Sequence, residues 1–220
     1  MERHERPPSV PWTEGLDEVA SVELVRGGRG GDAAAINELF RRYQPRLLRV
    51  VRIKMGSFVR QHVDPEDIVQ EASIIAIAKF RTLDVHTASS ILQWLVRIAE
   101  HVLQNKIRGL EAQKRDPRRE VPIASGAPDS SPGGVVLPSE GPTPSQVFSR
   151  REMEERIDAC VSGLEPEDYS EVLVLRDYCG LGWEEIREKL GRSSADAVRE
   201  LHRRACEKLR EKARLQGLLP

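Results

Sequence analysis

The stretch from residue 116 to residue 145 constrains the fold of this chain more than any other part of it. It reads DPRREVPIASGAPDSSPGGVVLPSEGPTPS, a composition dense in Pro, Gly and Ser. Such a segment buries too little apolar surface to offset the conformational entropy that is lost on folding. We therefore expect a flexible linker over 116–145, with one small folded unit on each side of it. The polar residues 1–30 are expected to form a disordered tail.

The unit over residues 31–115 shows the pattern of three helices. Asp32 is a suitable N-cap for the first helix, which carries apolar residues at helical spacing. The sequence DPED at residues 64–67 predicts a second start, because proline suits the first helical position and acids suit the positive helix end. The third helix is predicted to begin with Ser90 as its cap and to end at Gly109.

The unit over residues 146–216 shows four more helices, and the last two have the form of a helix-turn-helix. A short helix, WEEIREKL, is followed by a turn at residues 191–194 and by a longer basic helix, ADAVRELHRRACEKLREKAR. A plain helical hairpin with a solvated basic face is the alternative. The side chains expected to reach DNA are Arg192, Ser193 and Ser194 in the turn, and Arg199, Arg203 and Arg204 on the longer helix.

The fold class follows from these patterns. No segment alternates between apolar and polar residues with period two, so strands are not expected. We expect an all-α protein made of two small helical domains that a flexible linker joins.

The net charge of −1 conceals three blocks of opposed sign. Residues 32–115 hold 14 Lys and Arg against 9 Asp and Glu, a net charge of +5. Residues 150–186 hold 4 against 11, a net charge of −7, and residues 187–214 hold 10 against 5, a net charge of +5. Such blocks suggest separate surfaces for separate partners, with solvated helix faces as the plain alternative.

Patterns typical of catalysis or metal binding are missing from the sequence. Cys160, Cys179 and Cys206 form no CxxC pair, and we expect no histidine to pair with a cysteine or carboxylate at ligand spacing. We expect reduced cysteines at packing positions, no metal, no cofactor and no enzymatic activity. The glycines at 27–31 do not match a phosphate-binding loop and are expected to be a flexible lead-in. Of the four acids Asp64, Glu66, Asp67 and Glu71, three lie in the first helical turn, where capping explains them. No apolar run approaches the roughly 18 residues that cross a bilayer, so we expect a cytoplasmic protein.

Several motifs in fixed order resemble those of a known family. GDAAAINELFRRYQPRLLRV, DPEDIVQEASIIAIAKF and ILQWLVRIAEHVLQNKIR are similar to region 2 of sigma factors of the extracytoplasmic-function (ECF) subfamily. The segment from LEPEDYSEVLVLRDYCG through the helix-turn-helix resembles their region 4. The resemblance covers about residues 31–115 and 146–212, and the ordered combination of these motifs is highly specific.

The resemblance implies a transcription initiation factor that directs promoter recognition and DNA melting. The residues that it assigns to binding RNA polymerase core are Asp67, Ile68, Val69, Gln70 and Glu71. Those that it assigns to opening and reading the minus-ten promoter element are Trp94, Arg97, His101, Asn105, Lys106 and Arg108. Trp94 is either a stacking group for an unpaired base or a core residue. The helix-turn-helix is assigned to the minus-thirty-five element.

The resemblance also implies the partners. These are RNA polymerase core and promoter DNA, with an anti-sigma factor as a further candidate and no membrane. The alternative function is a free-standing helix-turn-helix regulator, or an adaptor that has kept the sigma fold. The long linker and the acidic block favour the sigma factor, because a lone regulator would usually dimerise and would gain from rigidity.

Overall fold

A computed structural model of the protein describes residues 18–83, 87–115 and 144–219. Within these residues the chain forms helices and no strand, as the sequence predicts. The α-helices are α1 (Glu18–Arg29), α2 (Ala33–Lys54), α3 (Ser57–Arg60), α4 (Pro65–Lys79), α5 (Ala88–Arg115), α6 (Pro144–Ser162), α7 (Glu167–Leu173), α8 (Trp183–Lys189) and α9 (Ala195–Leu215). A 3₁₀ turn at Phe80–Thr82 follows α4, and a π-helical segment at Val174–Tyr178 continues α7. The predicted linker lies outside the described residues, apart from its last two positions, which begin α6.

Two of the predicted helix starts are confirmed by the hydrogen bonds of their caps. The carboxylate of Asp32 accepts from the backbone N–H groups of Ala34, at 2.8 Å, and Ala35, at 3.2 Å. The carboxylate of Asp64 accepts from the N–H of Glu66 at 3.0 Å. Each cap satisfies donors that have no partner inside the helix and thereby fixes the residue at which the helix begins.

The start and the end predicted for the third helix are wrong. The cap of α5 is Thr87, whose hydroxyl oxygen accepts from the N–H of Ser90 at 3.1 Å, so Ser90 lies inside the helix. The helix also continues past Gly109 to Arg115. Glycine weakens a helix by about 1 kcal/mol relative to alanine, which is too little to end one that packs along most of its length.

The tail predicted for residues 1–30 is wrong from residue 18 onward, because α1 occupies Glu18–Arg29 and packs on α2. Residues 1–17 lie outside the described part of the chain. The glycines expected to be a flexible lead-in instead allow close packing. A Cβ on Gly28 would lie 2.5 Å from Cε1 of Phe80 and 2.7 Å from Cγ1 of Ile36. Only a residue without a side chain brings α1 this near to the ring of Phe80.

Helix α2 holds the two units of the chain together. Helices α1, α4 and α5 pack on it, and α6 of the second unit packs on it as well. Its apolar side chains Leu39, Tyr43 and Leu47 are fully buried. The buried apolar residues of both units form one contiguous cluster. The units predicted as separate domains on a linker therefore contact each other directly through α2 and α6.

The packing at Gly28 generates a stability prediction. We expect Gly28→Ala to lower the free energy of unfolding by about 1–3 kcal/mol, because the new methyl group overlaps the buried ring of Phe80. The matched control is Gly109→Ala, where the Cβ would meet nothing within 4 Å. This substitution should raise the free energy of unfolding by up to about 1 kcal/mol, because alanine favours the helix. Urea unfolding followed by circular dichroism measures both changes. Equal effects of the two substitutions would contradict the packing assigned to Gly28.

Candidate nucleic-acid and protein interfaces

The five residues predicted to bind polymerase core divide into two sets in α4. Asp67 and Gln70 are exposed, and Glu71 is half-exposed and forms an ion pair with Lys106 of α5 at 2.8 Å. Ile68 and Val69 are buried in the core of the first unit. The three polar side chains are therefore accessible from solvent, while the two apolar side chains anchor α4 in the core.

An apolar groove that was not predicted from the sequence runs beside this part of α4. It has a volume of about 610 Å³ and lies between α2, α4 and α6. Ile74 and Ile77 line it with 63% and 49% of their surface exposed, next to Gln70. Two large apolar side chains that are this exposed to solvent in one groove are typical of a surface that binds another protein. The signal in the sequence was that both isoleucines lie outside the stripe of α4 that faces the core.

Helix α5 presents a row of polar side chains at intervals of one helical turn. Arg97, His101, Asn105 and Arg108 are all exposed, and Arg108 donates to the amide oxygen of Asn105 at 3.0 Å. Residues spaced in this way share one helix face. The row therefore forms a continuous surface with hydrogen-bond donors along its length.

Two residues assigned to that row have other contacts. Lys106 leans toward α4 and pairs with Glu71. Trp94 packs against the core and meets Phe80 edge to face, with 6.4 Å between the ring centroids. Of the two roles considered for Trp94, the structure supports the core residue.

The helix-turn-helix forms as the sequence predicts. Ser194 caps α9 by accepting from the N–H of Ala197 at 3.1 Å. Gly191 has φ +61°, a conformation that glycine adopts without strain, and it ends α8 where the chain turns. Ile186 and Val198 are fully buried between α8 and α9.

The turn residues assigned to DNA differ in whether their side chains already have partners in the free protein. Ser193 and Ser194 are exposed, although the hydroxyl of Ser194 is engaged as the cap. Arg192 forms an ion pair with Asp168 of α7. This contact holds the turn against α7, so Arg192 is not freely available to a phosphate.

The three arginines assigned to DNA on α9 are exposed but not free. Arg199 pairs with Asp196, and both Arg203 and Arg204 pair with Glu200. The hydrogen bonds from the two guanidinium groups lower the pKa of Glu200 to about 2. Exposed pairs within a helix contribute little to stability, so a phosphate could replace each carboxylate at small cost.

A polar cluster lies on the inner side of α9, and here the prediction from the sequence was wrong. No histidine was assigned a partner at ligand spacing, yet His202 and Cys206 are one helical turn apart and Asp177 of the π-helical segment lies beside them. Nε2 of His202 is 3.0 Å from Oδ2 of Asp177, and Sγ of Cys206 is 3.8 Å from both ring nitrogens. These are ligand types that a metal ion accepts. However, Nε2 points at Asp177 and the sulfur lies to the side of the ring, which is the geometry of an ion pair.

Exposed polar faces on α4 and α5, together with a basic helix-turn-helix, are typical of a helical DNA-binding protein that also contacts a protein partner. Comparisons with known proteins identify which family this is. A family model described as ECF sigma factor matches residues 18–214. The chain therefore belongs to the ECF sigma factor family. It is a sigma factor that directs transcription initiation and is not an enzyme.

The relatives carry the same description. The ECF RNA polymerase sigma-E factor of Escherichia coli is 32% identical over 174 residues, which cover 77% of this chain and 82% of the relative. That of Salmonella typhimurium is 31% identical over the same shares. The ECF RNA polymerase sigma factor SigE of Mycolicibacterium smegmatis is 27% identical over 200 residues, covering 87% of this chain and 67% of the relative.

The helices of the described residues were also compared with what a membrane span requires. None of them combines sufficient length with sufficient apolar character to cross a bilayer.

The ion pair between His202 and Asp177 generates a pH prediction. Burial lowers the pKa of His202, but the hydrogen bond and charge of Asp177, aided by Cys206, outweigh this effect and raise the pKa to about 9. A histidine with a raised pKa stabilises the fold fully below about pH 6.5, and the stabilisation is lost as the pH rises through about 9. We expect the free energy of unfolding to fall over this interval by up to about 3 kcal/mol.

Urea unfolding at several pH values between 6 and 9 measures this fall. The fall should be much smaller in Asp177→Asn, which removes the charge that holds the proton on the ring. His101→Gln, at an exposed position on α5, is the control and should leave the curve unchanged. An unaltered pH dependence in Asp177→Asn would show that this pair does not contribute.

Proposed function

We propose that three surfaces of this sigma factor divide the work of initiation. The α4 surface, made of Asp67, Gln70, Glu71 and the apolar groove beside them, binds RNA polymerase core. The exposed row on α5 binds and reads the minus-ten element, and the helix-turn-helix of α8 and α9 reads the minus-thirty-five element. The proposal assigns the protein to the cytoplasm, where polymerase and chromosome are found.

The observation that carries the proposal is the row Arg97, His101, Asn105 and Arg108, exposed on one face of α5. Opening a duplex requires cationic groups for the backbone and polar or stacking groups for the bases that become unpaired. Arg97 and Arg108 at the two ends supply the charge, while His101 and Asn105 between them supply groups that can hydrogen-bond or stack. Because Trp94 packs in the core, the stacking platform has to come from this row or from polymerase.

To contact DNA, the arginines of α9 have to give up the carboxylates that they pair with in the free protein. In the free protein, Arg203 and Arg204 share the carboxylate of Glu200. A phosphate or a guanine edge would replace Glu200, whose charge then remains close to the DNA and repels it. This supports weak binding of promoter duplex by the isolated protein, which polymerase core would strengthen by holding both readers at the promoter and raising the effective concentration of the second.

The groove beside α4 also bears on regulation. An anti-sigma factor is a candidate third partner, since the exposed Ile74 and Ile77 offer it apolar area. Such a partner would compete with polymerase core for the same face of α4.

Polymerase binding tests the α4 assignment. We expect the triple variant Asp67→Arg, Gln70→Ala, Glu71→Arg to lose at least about tenfold in affinity for core, or about 1.4 kcal/mol, since it reverses the charge of the proposed surface. The circular dichroism spectrum should remain helical, because all three side chains lie off the buried stripe of α4. The control is Glu211→Arg on α9, an exposed position paired with Lys208, which should bind core normally. Unchanged affinity of the triple variant would remove α4 from the interface.

Promoter binding by the assembled holoenzyme tests the α9 assignment. Arg203→Ala should cost about 1–3 kcal/mol and relax specificity at one upstream position if Arg203 reads a base. If it contacts a phosphate instead, the loss should be uniform across sequences and the salt slope should fall by about one. Glu200→Gln is the matched variant and should strengthen binding, because it frees both arginines. Tight, sequence-specific binding by the purified protein without core would instead favour a free-standing regulator.

A further inference from the structure

We propose that the free protein is held in a closed state by a latch between its two units, and that this latch has to open before both promoter elements can be bound. The latch is the contact of α2 with α6 and the π-helical segment, centred on Arg49 and Asp158. The closed state is inferred from the geometry alone. The need to open it rests on the proposed function.

The centre of the latch is a buried ion pair between residues far apart in the sequence. Nη2 and Nε of Arg49 donate to Oδ1 of Asp158 at 2.7 and 3.0 Å. The hydroxyl of Tyr178 donates to the same oxygen at 3.2 Å, and the guanidinium of Arg49 lies 4.9 Å from the centroid of its ring. The side chains of Arg49 and Asp158 are 6% and 1% exposed, so water does not screen their charges.

Further charged contacts surround this centre. Lys54 of α2 pairs with Glu171 of α7 at 2.9 Å. Arg52 of α2 pairs with Glu155 of α6 at 3.1 Å, and Arg60 of α3 donates to the hydroxyl of Ser162 at 3.0 Å. In the reverse direction, Arg151 of α6 pairs with Glu66 of α4 at 2.8 Å. Pairs of opposite charge therefore lie at several points around the centre of the contact.

This matching gives the opposed charge blocks of the sequence a different interpretation. Three acids of the block with net charge −7 over residues 150–186, which are Glu155, Asp158 and Glu171, pair with basic side chains of the unit with net charge +5 over residues 32–115. Part of each block then serves as the partner of the other while the protein is free. Basic groups of α2 become available to polymerase or DNA only after the acidic block has left.

A buried ion pair makes the latch specific and easy to disrupt at a single position. The cost of removing both ions from water offsets most of their attraction, so such a pair adds little net stability. Burial raises the pKa of Asp158, which reflects this cost, although Arg49 opposes the rise. Removal of one partner leaves a buried charge without compensation, which the closed state cannot tolerate.

The span of a promoter explains why the latch would have to open. Elements centred at minus ten and minus thirty-five are about 25 base pairs apart, or roughly 85 Å along B-form DNA. A compact body of 220 residues has a radius of gyration of roughly 17 Å and is about half as wide as that span. The 28 residues between α5 and α6 have a contour length of roughly 95 Å, which allows the units to separate far enough.

Small-angle X-ray scattering of the full-length protein, without polymerase or DNA, tests the closed state. We expect a radius of gyration of roughly 17–20 Å for the natural sequence, and an increase to roughly 25 Å in Asp158→Arg and in Arg49→Asp. The charge-swapped double variant, Arg49→Asp with Asp158→Arg, should return toward the closed value. Glu171→Lys, at the rim, should also expand the protein and puts the fold at less risk. Arg41→Asp, on the exposed side of α2, is the control and should remain closed.

The possible results separate clearly. An expanded natural protein, or expansion equal in the Arg41→Asp control, overturns the latch. Equal compactness of all variants, with helical circular dichroism spectra, also overturns it. If Asp158→Arg is unfolded, Glu171→Lys and the double variant decide the question in the same measurement.

Binding of promoter duplex without core is the second readout. Opened variants that fold should bind at least several-fold more tightly than the natural sequence, because both readers can then reach their elements on one duplex at the same time. Expansion without tighter binding would leave the closed state standing and would count against the proposed promoter contacts. Tighter binding without expansion would count against the latch.

Discussion

A guanidinium group removed from water has to keep its charge compensated, and Arg49 meets this requirement with a carboxylate from the other half of the chain. The arrangement of the two units depends on that contact. It fixes the register of α6 along α2 and brings the π-helical segment against the same helix. Apolar packing alone would allow α6 to slide along α2, whereas a buried pair with several hydrogen bonds allows one position.

The two sides of α2 have different tasks as a result. One side carries Leu39, Tyr43 and Leu47, which hold the first unit together through apolar packing that is always present. The other side carries Arg49 and Arg52, each of which has a partner in α6 of the second unit. A separation of the units would expose the apolar residues at the contact of α2 with α6, but would keep those that α2 buries against α1, α4 and α5. This is how a protein with one contiguous core can still behave as two bodies.

Local features could be predicted from the sequence because their physics is local. Asp32, Asp64 and Gly191 begin or end helices through contacts within a few residues, and all three were placed correctly. For the last helix the sequence left Ser193 and Ser194 as alternative caps, and the structure has Ser194. Thr87 was missed in favour of Ser90, since both can cap and only the fold decides between them. Gly28 was interpreted as flexible because its tight contact with Phe80 comes from a distant part of the chain.

The candidate sites were predictable to a similar degree. Helical spacing was sufficient to put the polar row of α5 on one face. It could not show that Lys106 turns toward Glu71, because that contact depends on how α4 crosses α5. Their residue type made the arginines of α9 candidates for binding DNA. In the free protein, however, they form ion pairs with acids one helical turn away. The partner of Arg49 lies 109 positions further along the chain, and no local pattern reveals a contact of that range.

The π-helical segment at Val174–Tyr178 has a consequence for how this chain can change in evolution. A π-helical turn is an α-helix that has accommodated one additional residue. In this protein it lets two consecutive side chains face different neighbours: Asp177 meets His202 of α9, and Tyr178 meets Arg49 of α2. Deletion of one residue here would restore an ordinary α-helical turn and rotate α7 by about 100° relative to the helix-turn-helix. Point substitutions could be tolerated at many positions in this segment, but its length is fixed by the need to serve the two helices at once.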